Sequence, residues 1–280
     1  PWSFTLPVAR LGGVTRAIVT PSHAGGGGGG HAHDDSDFAG VGSAGLQSPS
    51  LFAGQAAIIH LAEGTDILVK PRVAMVAPFG EAGASMAGGA RGAQFTQFKE
   101  TLRLGREEGV KLILDGAEEA WLVADQIAAA GVPVLLNPIA NLPGSFEMRA
   151  ARMENAAALE AAGVVIAIKG NEGSTHRARD IRYNAGNAVS HGLSYGAAIA
   201  AITVNPARIF GMGGQFGELK AGAAADVVIW SGDPLEPLSQ AEAVYVGGAA
   251  QSMTSRQFLL RDRYRTGGVQ ANGMPPAYGQ

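Results

Sequence analysis

The 280-residue chain sets 21 Lys plus Arg against 24 Asp plus Glu, a formal net charge of −3, with 16% charged and 46% hydrophobic residues. That balance supports a buried core, excludes wholesale disorder, and shows no basic stripe of the kind a nucleic-acid binder carries. Cysteine is absent, which excludes disulfide frameworks, iron–sulfur clusters, thiolate zinc sites and a cysteine nucleophile, and leaves the compartment open.

In chain order, Leu6 to Thr20 predicts a short helix, a Gly12-Gly13 break and a strand. The start, Pro1-Trp2-Ser3-Phe4, has neither an initiator Met nor a signal-peptide pattern, so the chain reads as a processed or truncated product. Residues 22–48 hold six consecutive glycines (Gly25 to Gly30) and predict a flexible surface loop. Strands are expected at Ala56 to Leu61 and Ile67 to Val76, the second interrupted by Pro71.

From Phe95 the pattern alternates. Helices are expected at Phe95 to Glu108, Glu118 to Ala130, Met148 to Ala162, Ile181 to His191 and Tyr195 to Thr203. The apolar runs Val110 to Leu114, Val132 to Leu136 and Val164 to Ile168 lie among them. Such alternation implies parallel strands joined by right-handed crossovers and covered on both faces. After Gly211 the pattern is β, with strands expected at Ala225 to Trp230 and Ala243 to Gly248. No apolar run approaches the roughly 20 residues of a membrane span.

The run from Ala201 to Gly248 (AITVNPARIFGM, GELKAGAAADVVIWSGDPLEP, AVYVGG) resembles the C-terminus of amidohydrolase-superfamily enzymes of the imidazolonepropionase-like group. The resemblance extends back over Lys111 to Gly211 and more loosely over Leu6 to Val76. It implies an α/β fold: a TIM-like (β/α) barrel, incomplete in this chain, beside a small β-sandwich-type domain built from the C-terminal strands. The expected division is a barrel region 1–210, a small β-domain 211–266 and a disordered tail 267–280. The implied activity is metal-dependent hydrolysis of a C–N bond in a non-peptide or dipeptide-like substrate. The alternative is a catalytically silent barrel homologue with a metal-free small-molecule pocket, acting as a binding or structural subunit.

Such hydrolysis uses a bound zinc to lower the pKa of water to about 7, held by imidazole and carboxylate groups at the C-terminal ends of barrel strands. The family places a His-x-His on its first strand, single His residues on two middle strands and an Asp at the end of the last. Here the first-strand motif falls upstream of Pro1, Gly116 stands where a ligand His would be, and Asn171 stands for the Asp. Asp115 is one residue out of phase and is expected to turn away from the barrel axis. No metal is therefore expected at the barrel mouth of this chain alone, and zinc only if missing segments complete the site.

The mouth is expected to be lined by Asn137, Asn171, Glu172, His176, Arg177 and Arg179, as a pocket for a small polar or anionic ligand. The alternative for His176 to Asp180 is the start of a helix, with Asp180 in its first turn. His31, His33 and Asp35 are the other ligand-like group, read as a solvated loop tip with adventitious metal binding. Glu118 and Glu119 are expected to serve a helix N-terminus, and Asp226 to be structural. The expected partner is a small molecule, with no nucleic acid and no membrane, and homo-oligomerisation is left open.

Overall fold

The computed structural model describes residues 5–20, 54–79, 96, 99–100, 102–103, 107–109, 111–144, 148–170 and 175–265. The expected loop 22–48 and tail 267–280 lie outside these. Helix α1 (Thr5–Leu11) leads into β1 (Arg16–Val19), β2 (Gly54–His60) and β3 (Leu68–Phe79). β1 pairs antiparallel with β2, and β2 antiparallel with the first part of β3. Pro71 does not end β3. Between the pairs Ile58↔Lys70 and Ala56↔Ala74, residues 71–73 oppose Ala57 alone, so a bulge absorbs the proline.

The end of β3 then pairs in parallel with β4 (Leu114–Gly116), β4 with β5 (Val134–Leu136), and β5 with β6 (Ile166–Ile168). Helix α2 (Ala124–Ala130) connects β4 to β5, and α3 (Asn155–Ala161) connects β5 to β6. Helices α4 (Ile181–Ser190), α5 (Tyr195–Ile202) and α6 (Val204–Ile209) follow β6. The predicted alternation is present, with β5 and β6 shorter than expected and β4 displaced so that it shares only Leu114 with the expected run Val110 to Leu114. The expected helix Glu118 to Ala130 is a 3-10 turn, Ala120–Val123, followed by α2.

Side-chain alternation divides the parallel strands between two apolar clusters. Leu114, Val134, Leu136, Ile166 and Ile168 pack against Ile127 of α2, Leu159 of α3, Ala185 of α4 and Ala198 of α5. Ile113, Leu135 and Ala167 face the other way, onto Ile58 of β2, Ile209 of α6, and Phe210 and Phe216. The chain closes with β7 (Val227–Trp230), β8 (Ala241–Val246) and β9 (Ala249–Ala250), a three-stranded antiparallel sheet. Asp226 ties this sheet to β1: its carboxylate is hydrogen-bonded by Arg16 Nε and Nη2 and accepts from Gly247 N at 2.7 Å. Helix α7 (Arg256–Arg265) lies within the stretch expected to be β.

Candidate functional site

The C-terminal ends of β4, β5 and β6 point the same way, so the chain leaves all three strands at one end of the sheet. β4 ends in two residues of left-handed backbone, Gly116 (φ 92°) and Ala117 (φ 61°). That region is costly for a residue with a Cβ. Asn155, fully buried, anchors the turn: its Nδ2 donates to Ala117 O at 3.0 Å and its Oδ1 accepts from Trp121 N at 2.9 Å. Glu119 binds across loops, accepting from Ala150 N at 2.7 Å, instead of serving only its own helix start.

Asp115 corrects its sequence assignment. It alternates with Leu114, so it shares the face of Ile113, Leu135 and Ala167, turned away from the α2–α5 layer and not towards it. Lys169, two residues past Ala167, is on that same face. The two meet across the strand ends, Lys169 Nζ lying 2.8 Å from Asp115 Oδ1. The contact is an ion pair without hydrogen-bond alignment, since this enclosed oxygen has no directed donor. The side chains are 23% and 15% exposed, respectively.

Beside this pair, Asn184 of α4 is buried and donates from Nδ2 to Asn137 Oδ1 at 3.2 Å and to Lys169 O at 3.1 Å. The expected lining residue Asn137 is thus half-buried at the end of β5 and locked to a helix. Arg177 and Arg179 lie in a 3-10 turn, Thr175–Asp180, and their side chains are exposed. Arg179 Nε lies 3.9 Å from Asp180. His176 belongs to the same turn. Asn171, Glu172, His31, His33 and Asp35 lie outside the described residues.

Lys169, Asn184 and Arg182 are not legible as functional residues in the sequence. Arg182, buried on α4, donates from Nη1 to Pro234 O at 2.9 Å and to Glu236 O at 2.7 Å, and from Nη2 to Ser239 O at 2.8 Å. Its guanidinium also lies over Tyr183 and Trp230. A polar residue two positions from another on a helix that otherwise buries alanines is the available sequence signal, and it names no partner.

A zinc centre needs about three imidazole, carboxylate or thiolate ligands. Among the described residues no group of three His, Cys, Asp or Glu converges in that way. Asp115 is already paired with an ammonium, Gly116 has no side chain, and Asn137 is engaged by Asn184. The described strand ends do not fit a catalytic zinc. Among the described residues, too, no helix is long and apolar enough to cross a membrane.

A mixed α/β fold with its polar groups gathered at the ends of parallel strands defines a broad class of proteins that bind ligands at that end of the sheet. The model of the amidohydrolase family matches residues 57–254. The chain belongs to the amidohydrolase family. It is similar to the amidohydrolase tasK of Hapsidospora irregularis, at 39% identity over 74 residues, which is 26% of this chain and 8% of that protein. The chain therefore matches less than a tenth of that relative. It also resembles the crystal structure of an amidohydrolase from Thermotoga maritima MSB8, with a TM-score of 0.68 and 20% identity over 88% of this chain and 74% of that one. This likeness concerns the fold.

Proposed function

We propose that the strand-end face binds a small molecule of the C–N class, an amide or dipeptide-like compound, and holds it without hydrolysing it. Family membership supports a hydrolase-like function. What carries the silent form is the Asp115–Lys169 pair, which stands where open metal ligands would be needed. Asn137 would orient the polar end of the ligand, and Arg177 or Arg179, on the exposed turn above, would fork onto a carboxylate. The finer placement in the imidazolonepropionase-like group and the β-sandwich rest on the C-terminal pattern from Ala201 to Gly248, the incomplete TIM-like barrel also on the strand–helix alternation, and all three belong to the same proposal.

Family membership favours a second reading, a metal-dependent C–N hydrolase whose ligands come partly from elsewhere. Metal content after dialysis, measured beside turnover of an amide and dipeptide panel, separates the two. The binding reading expects no stoichiometric zinc at the strand ends and no turnover. One equivalent of zinc, lost in Asp115→Asn but kept in a His31→Ala/His33→Ala variant, would restore the enzyme.

A further inference from the structure

We infer that Lys169 is the resident cation of the strand-end face, its ammonium receiving the carbonyl or carboxylate oxygen of the ligand in the place a metal would take. This rests on the metal-free binding proposed above and adds the group on which the ligand's oxygen sits. Lys169 is on the face of the sheet turned away from the α2–α5 layer, two residues beyond Ala167, which packs there with Ile113 and Leu135. Its backbone is held on both sides, N–H donating to Leu136 O at 2.7 Å and C=O accepting from Asn184. Asp115 Oδ1 lies 2.8 Å from its ammonium, and the lysine side chain as a whole is 23% exposed.

The chemistry follows from what an ammonium shares with a metal ion and what it lacks. It is a compact positive charge with N–H donors, suited to a carbonyl or carboxylate oxygen. It does not bring the pKa of a bound water to about 7, so no hydroxide is generated beside the ligand. A divalent ion approaching the same place would meet like charge from Lys169 and a carboxylate already neutralised. One residue thus both anchors an oxygen and keeps metal out.

The test uses a His31→Ala/His33→Ala background, so that the histidine pair binds nothing, and two probes, N-acetylglycine and Co²⁺. The background protein should bind N-acetylglycine and no cobalt. Lys169→Met should weaken N-acetylglycine at least about tenfold, while Lys169→Arg, which keeps the charge, should lose less. If Lys169→Met fails to fold, reductive methylation, which retains the charge, provides a methyl resonance of Lys169 that should shift on adding N-acetylglycine. Unchanged N-acetylglycine affinity in Lys169→Met or an unmoved resonance overturns the role of Lys169 and leaves the binding reading standing. No N-acetylglycine bound by the background protein, or cobalt bound there and lost in Asp115→Asn, overturns that reading as well.

Discussion

Two cations flank helix α4 and are treated in opposite ways. Arg182 is buried and satisfied by the carbonyls of Pro234, Glu236 and Ser239, with no carboxylate among the partners given by its hydrogen bonds. Lys169, below the same helix, faces a carboxylate and remains open to solvent. A guanidinium suits the first role because its planar fork donates in several fixed directions at once, whereas a lysine ammonium keeps its charge concentrated at one reachable point. The helix thus separates a stabilising contact from a chemical one. Stability should depend on the first and ligand recognition on the second.

The largest effect expected from breaking this contrast is on Arg182. Hydrogen bonds to a charged group contribute about 1.5–3 kcal/mol each and do not add, and the buried carbonyl of Ser239 and the part-buried ones of Pro234 and Glu236 would be left without their donor. Arg182→Ala should therefore cost about 3–4 kcal/mol in urea unfolding, and Arg182→Lys should recover only part of it, since the fork is lost. A loss below about 1 kcal/mol would show that water serves the loop carbonyls equally well.

Next comes Gly186, on the same side of α4. A Cβ there would lie 2.8 Å from Leu235 O, closer than side-chain carbons approach backbone oxygens, and the obstructing atom is backbone. Gly186→Ala should therefore cost about 1–3 kcal/mol, as overpacking does, despite the better helix propensity of alanine. A neutral or stabilising result would mean that the loop from Gly232 to Gln240 yields freely, contrary to the grip of Arg182.

The side of α4 facing the strand ends should respond less in stability and more in binding. Asn184→Ala removes one donor group serving Asn137 and Lys169 O, an expected loss of about 1–2 kcal/mol. Lys169→Met breaks a partly exposed pair and should cost about 1 kcal/mol or less. If thermal unfolding ranks Lys169→Met with Arg182→Ala, the division between the two sides of the helix fails.

This division was only partly legible in the sequence. Glycine stops and apolar runs identified β5, β6 and their helices, because an all-apolar stretch between helices has few other solutions in a parallel sheet, while β4 begins only at the last residue of its expected run. The same uniformity hid the phase of Asp115. Leu112-Ile113-Leu114 carries no alternation, so which side chain meets the helices is decided only by packing, with Leu114 on the helix side and Ile113 opposite. Arg182 was illegible for a different reason: its acceptors lie 52 to 57 residues along the chain. Asp226, by contrast, was read correctly as structural, and the ion pair to Arg16, 210 residues away, supplies the partner. The helix α7 was missed because its apolar residues, Phe258, Leu259, Leu260 and Tyr264, are all exposed and form no buried stripe.

The smallest expected effect concerns the outer rim of the loop that Arg182 holds. Tyr195, at the start of α5, donates its hydroxyl to Asp233 Oδ1 at 2.9 Å, and Asp233 Oδ1 also accepts from Leu235 N at 2.9 Å. Partial burial, and secondarily the hydrogen bond and negative charge of Asp233, hold the Tyr195 hydroxyl above its ordinary value of 10.0. A raised folded-state value favours the protonated phenol, so its contribution to stability is complete below the unfolded-state pKa and is lost as pH rises through the folded one. The window lies above about pH 10. With the tyrosine 47% exposed, solvent screening keeps the effect small. Alkaline titration followed by phenolate absorbance should show one tyrosine ionising late, and Asp233→Asn should bring it down without restoring the full ordinary value, because burial, the larger cause, persists. A Tyr195→Phe variant whose late-ionising phase is unchanged would assign that phase to another tyrosine and release this rim from the loop's anchoring.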